Sequence, residues 1–311
     1  MSKRPAPPPK GEMNLMKLME ECDTDAECRA ILENLRWPDG VHCPRCDSDK
    51  AYYAKPRKQY DCISCGYQFS VTAGTIFHDS HLPLPKWFVA VYLICESKKG
   101  ISANQMKRTL NVSYKTAWYL CHRIRAAMAD ARPPALHGIV EVDETYIGGK
   151  QRRIKGQYTP RNKTAVVGAM QRQGDIRLRV IRHADRPTLQ EHIFQNIAPD
   201  ADIFTDEWPA YTGLDQFYNA HETVVHSREE WVRGMVHTNT AESVWSLLKR
   251  SIVGSYHHLS VKHLDAYLDE LEWRFNNREN PYLFRDTLTK LIAAGNLEYK
   301  ALISGHAPDL R

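Results

Sequence analysis

Cys43, Cys46, Cys62 and Cys65 stand as C-P-R-C and C-I-S-C-G with fifteen residues between the pairs. This is the spacing of two knuckles that present four thiolates to one zinc ion. Four protein ligands leave no open coordination position, so the expected Zn²⁺ is structural. The other chemically suggestive residues are acidic and far apart: Asp143 in V-E-V-D-E-T-Y, Asp206 in I-F-T-D-E-W, and Glu242 in H-T-N-T-A-E-S-V-W-S-L-L-K-R. Each has a plain structural reading, Asp206 as a helix cap and Glu242 as a solvated carboxylate. Asp143, flanked by valines in a strand pattern, is harder to dismiss, because burying a carboxylate without a partner or a metal is costly. Brought together, the three would offer hard oxygen ligands to two Mg²⁺ (or Mn²⁺) ions of the kind that assist phosphoryl transfer. Lys249 follows Glu242 by close to two helical turns, so both project from one face and the ammonium can hold a phosphate there.

Whether the acids meet depends on the elements that carry them. Residues 138–147 alternate as a strand, and Thr164–Met170 and Ile176–Ile181 read as two more, the latter pair joined by a turn at Gly174. A helix over Thr188–Ile197 leads to a fourth strand at Asp202–Thr205. A short helix at Pro209–Leu214 and a fifth strand at Glu222–His226 follow, and a longer helix starts near Thr240. The order β-β-β-α-β-α-β-α is that of an α/β ribonuclease H-like fold. There the first and fourth strands are neighbours and the last helix crosses their ends, which would gather Asp143, Asp206 and Glu242. A closing amphipathic helix is expected over residues 261–277, with Leu264, Leu268, Leu271 and Phe275 on one stripe.

Upstream, tyrosines and phenylalanine alternate around the cysteine pairs, predicting a zinc ribbon over residues 40–71 with Gly66 easing the second knuckle. A helix is expected before it, over Asn14–Leu35. Cys22, Cys28, Cys95 and Cys121 read as ordinary small residues. From Ser97 to Ala129 there are seven Lys or Arg and no acid. Ser102 and Ser113 are placed to cap two helices, the second running from Tyr114 to about Met128. This is a helix-turn-helix-like pattern with Lys107, Arg108, Lys115, Arg123 and Arg125 as candidate DNA contacts; Lys115, Tyr119, His122 and Arg123 are expected to face outward. A solvated basic hairpin is the alternative. A second basic stretch, residues 148–163, carries Lys150, Arg152, Arg153 and Lys155 and reads as a loop able to embrace a duplex. Trp208, Tyr211 and Trp245 are candidates for base stacking or for core packing, and His221, His226 and His237 for phosphate contacts.

Taken together, CPRC…CISCG, the helix-turn-helix-like segment, VEVDETYIGGK, IFTDEWPAY and HTNTAESVWSLLKR resemble the zinc-ribbon DDE transposases of bacterial insertion sequences, the ISXO-like group. The resemblance implies that Asp143, Asp206 and Glu242 are the DDE acids, with Lys249 following them and Asn239 in reserve as third ligand. It also implies binding of terminal inverted repeats, strand cleavage and strand transfer, with double-stranded DNA as transposon end and target. A homodimer or larger oligomer is implied for the synaptic complex. A catalytically inactive, transposase-derived DNA-binding protein is the competing reading.

Composition agrees with this outline. The chain has 311 residues with 42% hydrophobic and 25% charged residues and a net charge of +5, which excludes a disordered or collagen-like chain and suits about two domains. The longest apolar run, Trp87 to Cys95, is far short of the roughly 20 residues a membrane span needs. The first residues lack an apolar segment for export, so a cytoplasmic protein on the bacterial nucleoid is expected. The expected layout is a flexible tail (1–13), an N-terminal helix with the ribbon (14–75), the helix-turn-helix-like segment (76–132), the ribonuclease H-like domain (138–260) and C-terminal helices (261–311).

Overall fold

Two short helices open the computed structural model, which describes residues 13–130, 132–148, 163–224 and 236–304. They are α1 (Leu15–Glu21) and α2 (Asp25–Arg36). The single helix expected here is broken because Thr24 caps α2: it accepts from the Glu27 amide while Glu27 reaches back to the Thr24 amide. The ribbon follows as three antiparallel strands, β1 (Ala51–Ala54), β2 (Gln59–Cys62) and β3 (Gln68–Phe69). Gly66 takes φ +69°, as the second knuckle requires.

Helix α3 (Leu84–Glu96) leads to α4 (Ala103–Leu110) and α5 (Tyr114–Met128). Ser102 and Ser113 cap them through the amides of Gln105 and Thr116, and Asn111 turns the chain between them at φ +49°. The two helices and their caps agree with the expected pattern. The outward face of α5 does not: His122, Arg123 and Arg125 are buried. Arg123 donates to the carbonyl of His78 at 2.8 Å and lies over the rings of Trp87 and Tyr119, and Arg125 donates to the carbonyl of Ile101. The two arginines therefore hold the helices together and are withdrawn as DNA contacts. Lys107, Arg108 and Lys115 remain exposed, Lys115 with its ammonium over the Tyr299 ring.

The second unit begins with a meander of antiparallel strands, β4 (Ile139–Ile147), β5 (Thr164–Gln171) and β6 (Ile176–Ile181). Helix α6 (Arg186–Asn196) crosses over to β7 (Asp202–Asp206), which runs parallel to β4, and β8 (Ala220–Val224) runs parallel to β7. The sheet order β6-β5-β4-β7-β8 is the ribonuclease H-like topology. Between β7 and β8 the expected short helix is a pair of 3-10 turns separated by Gly213 at φ +90°. The fifth strand lies two residues earlier than expected; His226 falls outside the described residues, as do Lys150, Arg152, Arg153 and Lys155.

Helix α7 (Asn239–Ser251) and helix α8 (Leu264–Asn276) cover one face of the sheet, and α6 covers the other. Alternation along β4 decides which residue meets which layer. Val140 and Val142 pack under α6, while Glu141, Asp143 and Thr145 turn toward α7. The edge strand β6 is covered by α8: Asp265, Glu272 and Asn276 accept from the amides of Val180, Leu178 and Ile176. These amides would otherwise be a free pairing edge.

The last helices, α9 (Leu283–Ala293) and α10 (Tyr299–Ser304), return to the first unit. The chain thus forms two compact units, Met1–Ala129 with Glu279–Arg311, and Asp130–Arg278. This divides the C-terminal region differently from the expected layout: α8 belongs with the sheet, α9 and α10 with the ribbon and helix-turn-helix. Among the described residues no helix is long and apolar enough to cross a membrane.

Candidate active site and metal centre

The four ribbon cysteines converge, their sulfurs all within 4.8 Å of one another. Cys43 and Cys65 approach to 3.7 Å, Cys46 and Cys62 to 3.6 Å. Four sulfurs at about 2.3 Å from a central zinc stand roughly 3.8 Å apart at tetrahedral geometry. The thiols therefore fit such an ion, and the ribbon's aromatic cluster of Trp37, Tyr60 and Phe69 packs beside them.

In the second unit, parallel pairing of β4 with β7 sets Glu141 beside Phe204. Two residues further on, Asp143 at the middle of β4 and Asp206 at the C-terminal end of β7 follow on the same face. A cavity of about 630 Å³ opens beside Asp143, lined among others by Asp143, Glu144, Glu242, Trp245, Lys249 and Arg250; Asp206 does not line it and accepts from the Trp208 amide at 3.0 Å. Glu242 and Lys249 thus face the same space, as their spacing on α7 predicts. Asn239, at the first position of α7, does not line it.

Asp143 is fixed from two sides: the Trp245 indole donates to Oδ2 at 2.9 Å, and the Glu144 amide to Oδ1 at 2.8 Å. Burial pushes its carboxyl up to about 6 against the lowering effect of those two hydrogen bonds, and the charges of Asp206 and Glu242 add to the rise. Asp143 therefore lies within reach of the charges of both Asp206 and Glu242. The oxygens of the three acids are more widely spread than the ribbon sulfurs, since among the described residues the cysteines are the set drawn within 4.8 Å. An all-oxygen donor set suits hard divalent cations.

Two further glutamates went unread in the sequence. Glu144 accepts from the buried Tyr211 hydroxyl at 2.7 Å; burial first, then the charges of Asp206 and Asp143, push its carboxyl up to about 7, although the Tyr211 bond pulls it down. Glu141 is fully buried and receives the N-terminal amides of α7. Their signal was the acidic run V-E-V-D-E itself, three carboxylates in four residues of a strand. The aromatic candidates divide: Tyr211 and Trp245 are buried and Trp208 is exposed. Of the histidines, His221 bonds Thr205 and His237 accepts from Arg172, so both serve the fold.

A four-cysteine ribbon, a helix-turn-helix and a ribonuclease H-like sheet with acids on its two central strands are the parts of a zinc-ribbon transposase. Residues 135–276 match the ISXO2-like transposase domain and residues 23–68 the transposase zinc-ribbon domain. A protein in the transposable element ISH50 of Halobacterium salinarum is 31% identical over 78% of this chain and 88% of its own length. A transposase-like protein of Haemophilus influenzae is 29% identical over 32% of this chain and 80% of its own. The chain belongs to the ISXO2-like transposase family. The solved Mos1 transposase paired-end complex with left transposon end covers 72% of this chain and 80% of its own at 11% identity, with a TM-score of 0.28, a likeness too loose to add to the assignment.

Proposed function

We propose that this transposase cleaves double-stranded DNA at the ends of its insertion sequence and joins the freed 3′ ends to target DNA. Asp143, Asp206 and Glu242 would hold two Mg²⁺ (or Mn²⁺) ions, which when bound supply activation of the attacking oxygen and stabilisation of the leaving one. The observation that carries the reading is the cavity in which Asp143, Glu242 and Lys249 face one space while the charge of Asp206 acts on Asp143. Within it Trp245 orients Asp143, and Lys249 and Arg250 neutralise the phosphate that must approach three carboxylates. Glu242 serves better than Asn239 as third ligand because it lines the cavity and carries a charge.

The ribbon cysteines would hold one Zn²⁺ as a folding staple. Tyr114, Lys115, Lys107 and Arg108 are the exposed residues of the helix-turn-helix suited to a duplex, and Lys150, Arg152, Arg153 and Lys155 extend the basic contribution. The setting is the bacterial nucleoid, and synapsis of two ends calls for a homodimer or larger assembly.

The test uses duplexes taken from the DNA on both sides of the gene, incubated with the full chain and Mg²⁺. Nicks at a fixed end position together with joined products are expected from the parent protein, and neither from Asp143→Ala. Nicks without joined products would reduce the activity to that of a nuclease. Equal cleavage by both proteins would remove Asp143 from the reaction.

A further inference from the structure

The carboxylate of Glu141 is completely buried, two residues before Asp143 on the same face of β4. Both of its oxygens accept hydrogen bonds from α7 and from Arg172. Oε2 accepts the amides of Thr240 at 2.7 Å and Ala241 at 3.0 Å; Oε1 accepts Arg172 Nε at 2.7 Å and the Thr240 hydroxyl at 3.0 Å. His237 Nδ1 lies 3.3 Å away, but that nitrogen accepts from Arg172 Nη2 at 2.9 Å, so Arg172 bridges Glu141 and His237.

Thr240 and Ala241 are the second and third residues of α7, whose first amides have no partner within the helix. The residue at the cap position, Thr238, makes no side-chain capping bond. Glu141 does that work from another element, and as an anion it also meets the positive end of the helix dipole. The residue after Ala241 is Glu242. The same strand therefore carries Asp143 into the cavity and, two residues earlier, grips the helix turn from which Glu242 projects.

We propose that Glu141 is a positioning residue for the metal-binding acids: a cap supplied across elements that fixes the start of α7, and with it Glu242, at a set distance from Asp143. The proposal rests on the reading of Asp143 and Glu242 as metal ligands. A neutral glutamine cannot replace Glu141. Whichever way its amide is turned, the NH₂ group faces donors, either the α7 amides or Arg172. The N-terminus of α7 then loses its anchor while the hydrophobic face of the helix, buried through Val244, Trp245 and Leu248, keeps it on the sheet.

The test is Mn²⁺ binding to the zinc-loaded full chain, read by the electron paramagnetic resonance of the free ion, with hydrogen exchange at the Thr240 and Ala241 amides and cleavage of the flanking-DNA duplexes alongside. Glu141→Gln should keep its zinc and a cooperative melting transition, though at a lower temperature because Arg172 loses its buried carboxylate, lose protection at those two amides, and bind Mn²⁺ about 10- to 100-fold more weakly, the scale of losing a residue that orients metal ligands. Raising Mn²⁺ should restore its cleavage, with the DNA concentration for half-maximal rate unchanged. Thr240→Val removes one donor without altering charge and should weaken Mn²⁺ binding about threefold; if Glu141→Gln does not fold, this variant decides. Parental Mn²⁺ affinity in Glu141→Gln, or in Thr240→Val should that one decide, overturns the proposal when Asp143→Ala has lost binding. If Asp143→Ala binds Mn²⁺ as the parent does, the metal site itself is wrong and the positioning role falls with it.

Discussion

Three carboxylates in the run Val140-Glu141-Val142-Asp143-Glu144 have three different surroundings, and strand alternation is the reason. Glu141 and Asp143 turn toward α7, and Glu144 turns the other way toward Tyr211. Glu144 accepts from the Tyr211 hydroxyl, so above the pH at which Glu144 ionises Tyr211→Phe should cost about 2 kcal/mol, the scale of a hydrogen bond to a charged group. An unchanged midpoint in urea denaturation would show that water takes the hydroxyl's place. His192, on α6, gives a pH prediction of its own. Burial pushes its imidazole down to about 4, against roughly 6.5 when unfolded. Between those values the unfolded chain binds a proton that the folded chain refuses, so stability falls as the pH drops through that window and levels off below it. The loss amounts to about 3 kcal/mol over the window. Unfolding free energies of the parent and His192→Leu, compared from pH 7 to pH 4, should differ in slope with the parent the steeper; parallel slopes would mean that water reaches the ring in the folded chain.

Helix α7 can lie close to the sheet because β5 offers it a glycine. Gly168 pairs with Asp143 across the strands, and a Cβ built there would stand 2.8 Å from the Trp245 ring, 2.9 Å from Leu178 and 2.5 Å from Met170. Gly168→Ala should therefore destabilise the second unit by about 1–3 kcal/mol and, by moving the indole off Asp143, weaken Mn²⁺ binding. Gly174→Ala, whose added carbon would first meet the flexible Gln171 side chain, is the control in the same urea and Mn²⁺ titrations. If both substitutions behave alike, the close approach at Gly168 has no consequence. None of this packing could be read along the chain. Strand alternation, helix caps at Ser102 and Ser113 and the paired cysteines were legible because each depends on neighbours a few residues away. The burial of His122, Arg123 and Arg125 was not, because it depends on Trp87, His78 and Ile101 arriving from other segments. Periodicity marks which side of α5 is apolar, yet a long cationic side chain laid over aromatic rings satisfies its charge while buried. Glu141 escaped for the same reason: its partners lie about a hundred residues away on α7, where the local cap position looks filled by Thr238.

At the scale of the whole chain the sheet-bearing unit is one continuous segment, inserted into a unit that begins before it and ends after it. The first unit is completed by α9. Leu288 and Leu291 are buried in it, the Ile76 amide donates to the Leu291 carbonyl at 3.2 Å, and Thr287 meets Cys95 at 3.3 Å. Lys290 closes the end of α5 by donating to the carbonyls of Met128 and Ala129, both at 3.2 Å. The helix-turn-helix therefore depends on residues that follow the entire sheet in sequence, so a nascent chain cannot finish it before the second unit has been made. Ending the chain at Arg278 should remove the unfolding transition of the first unit and leave that of the second, and limited proteolysis should then trim the product back to about residue 130. Leu291→Ala, a milder form of the same loss, should lower the first transition alone by roughly 2–5 kcal/mol, the cost of a large-to-small change in a packed core. Two transitions of parental midpoint in the shortened chain would mean that α9 only covers a core that stands without it.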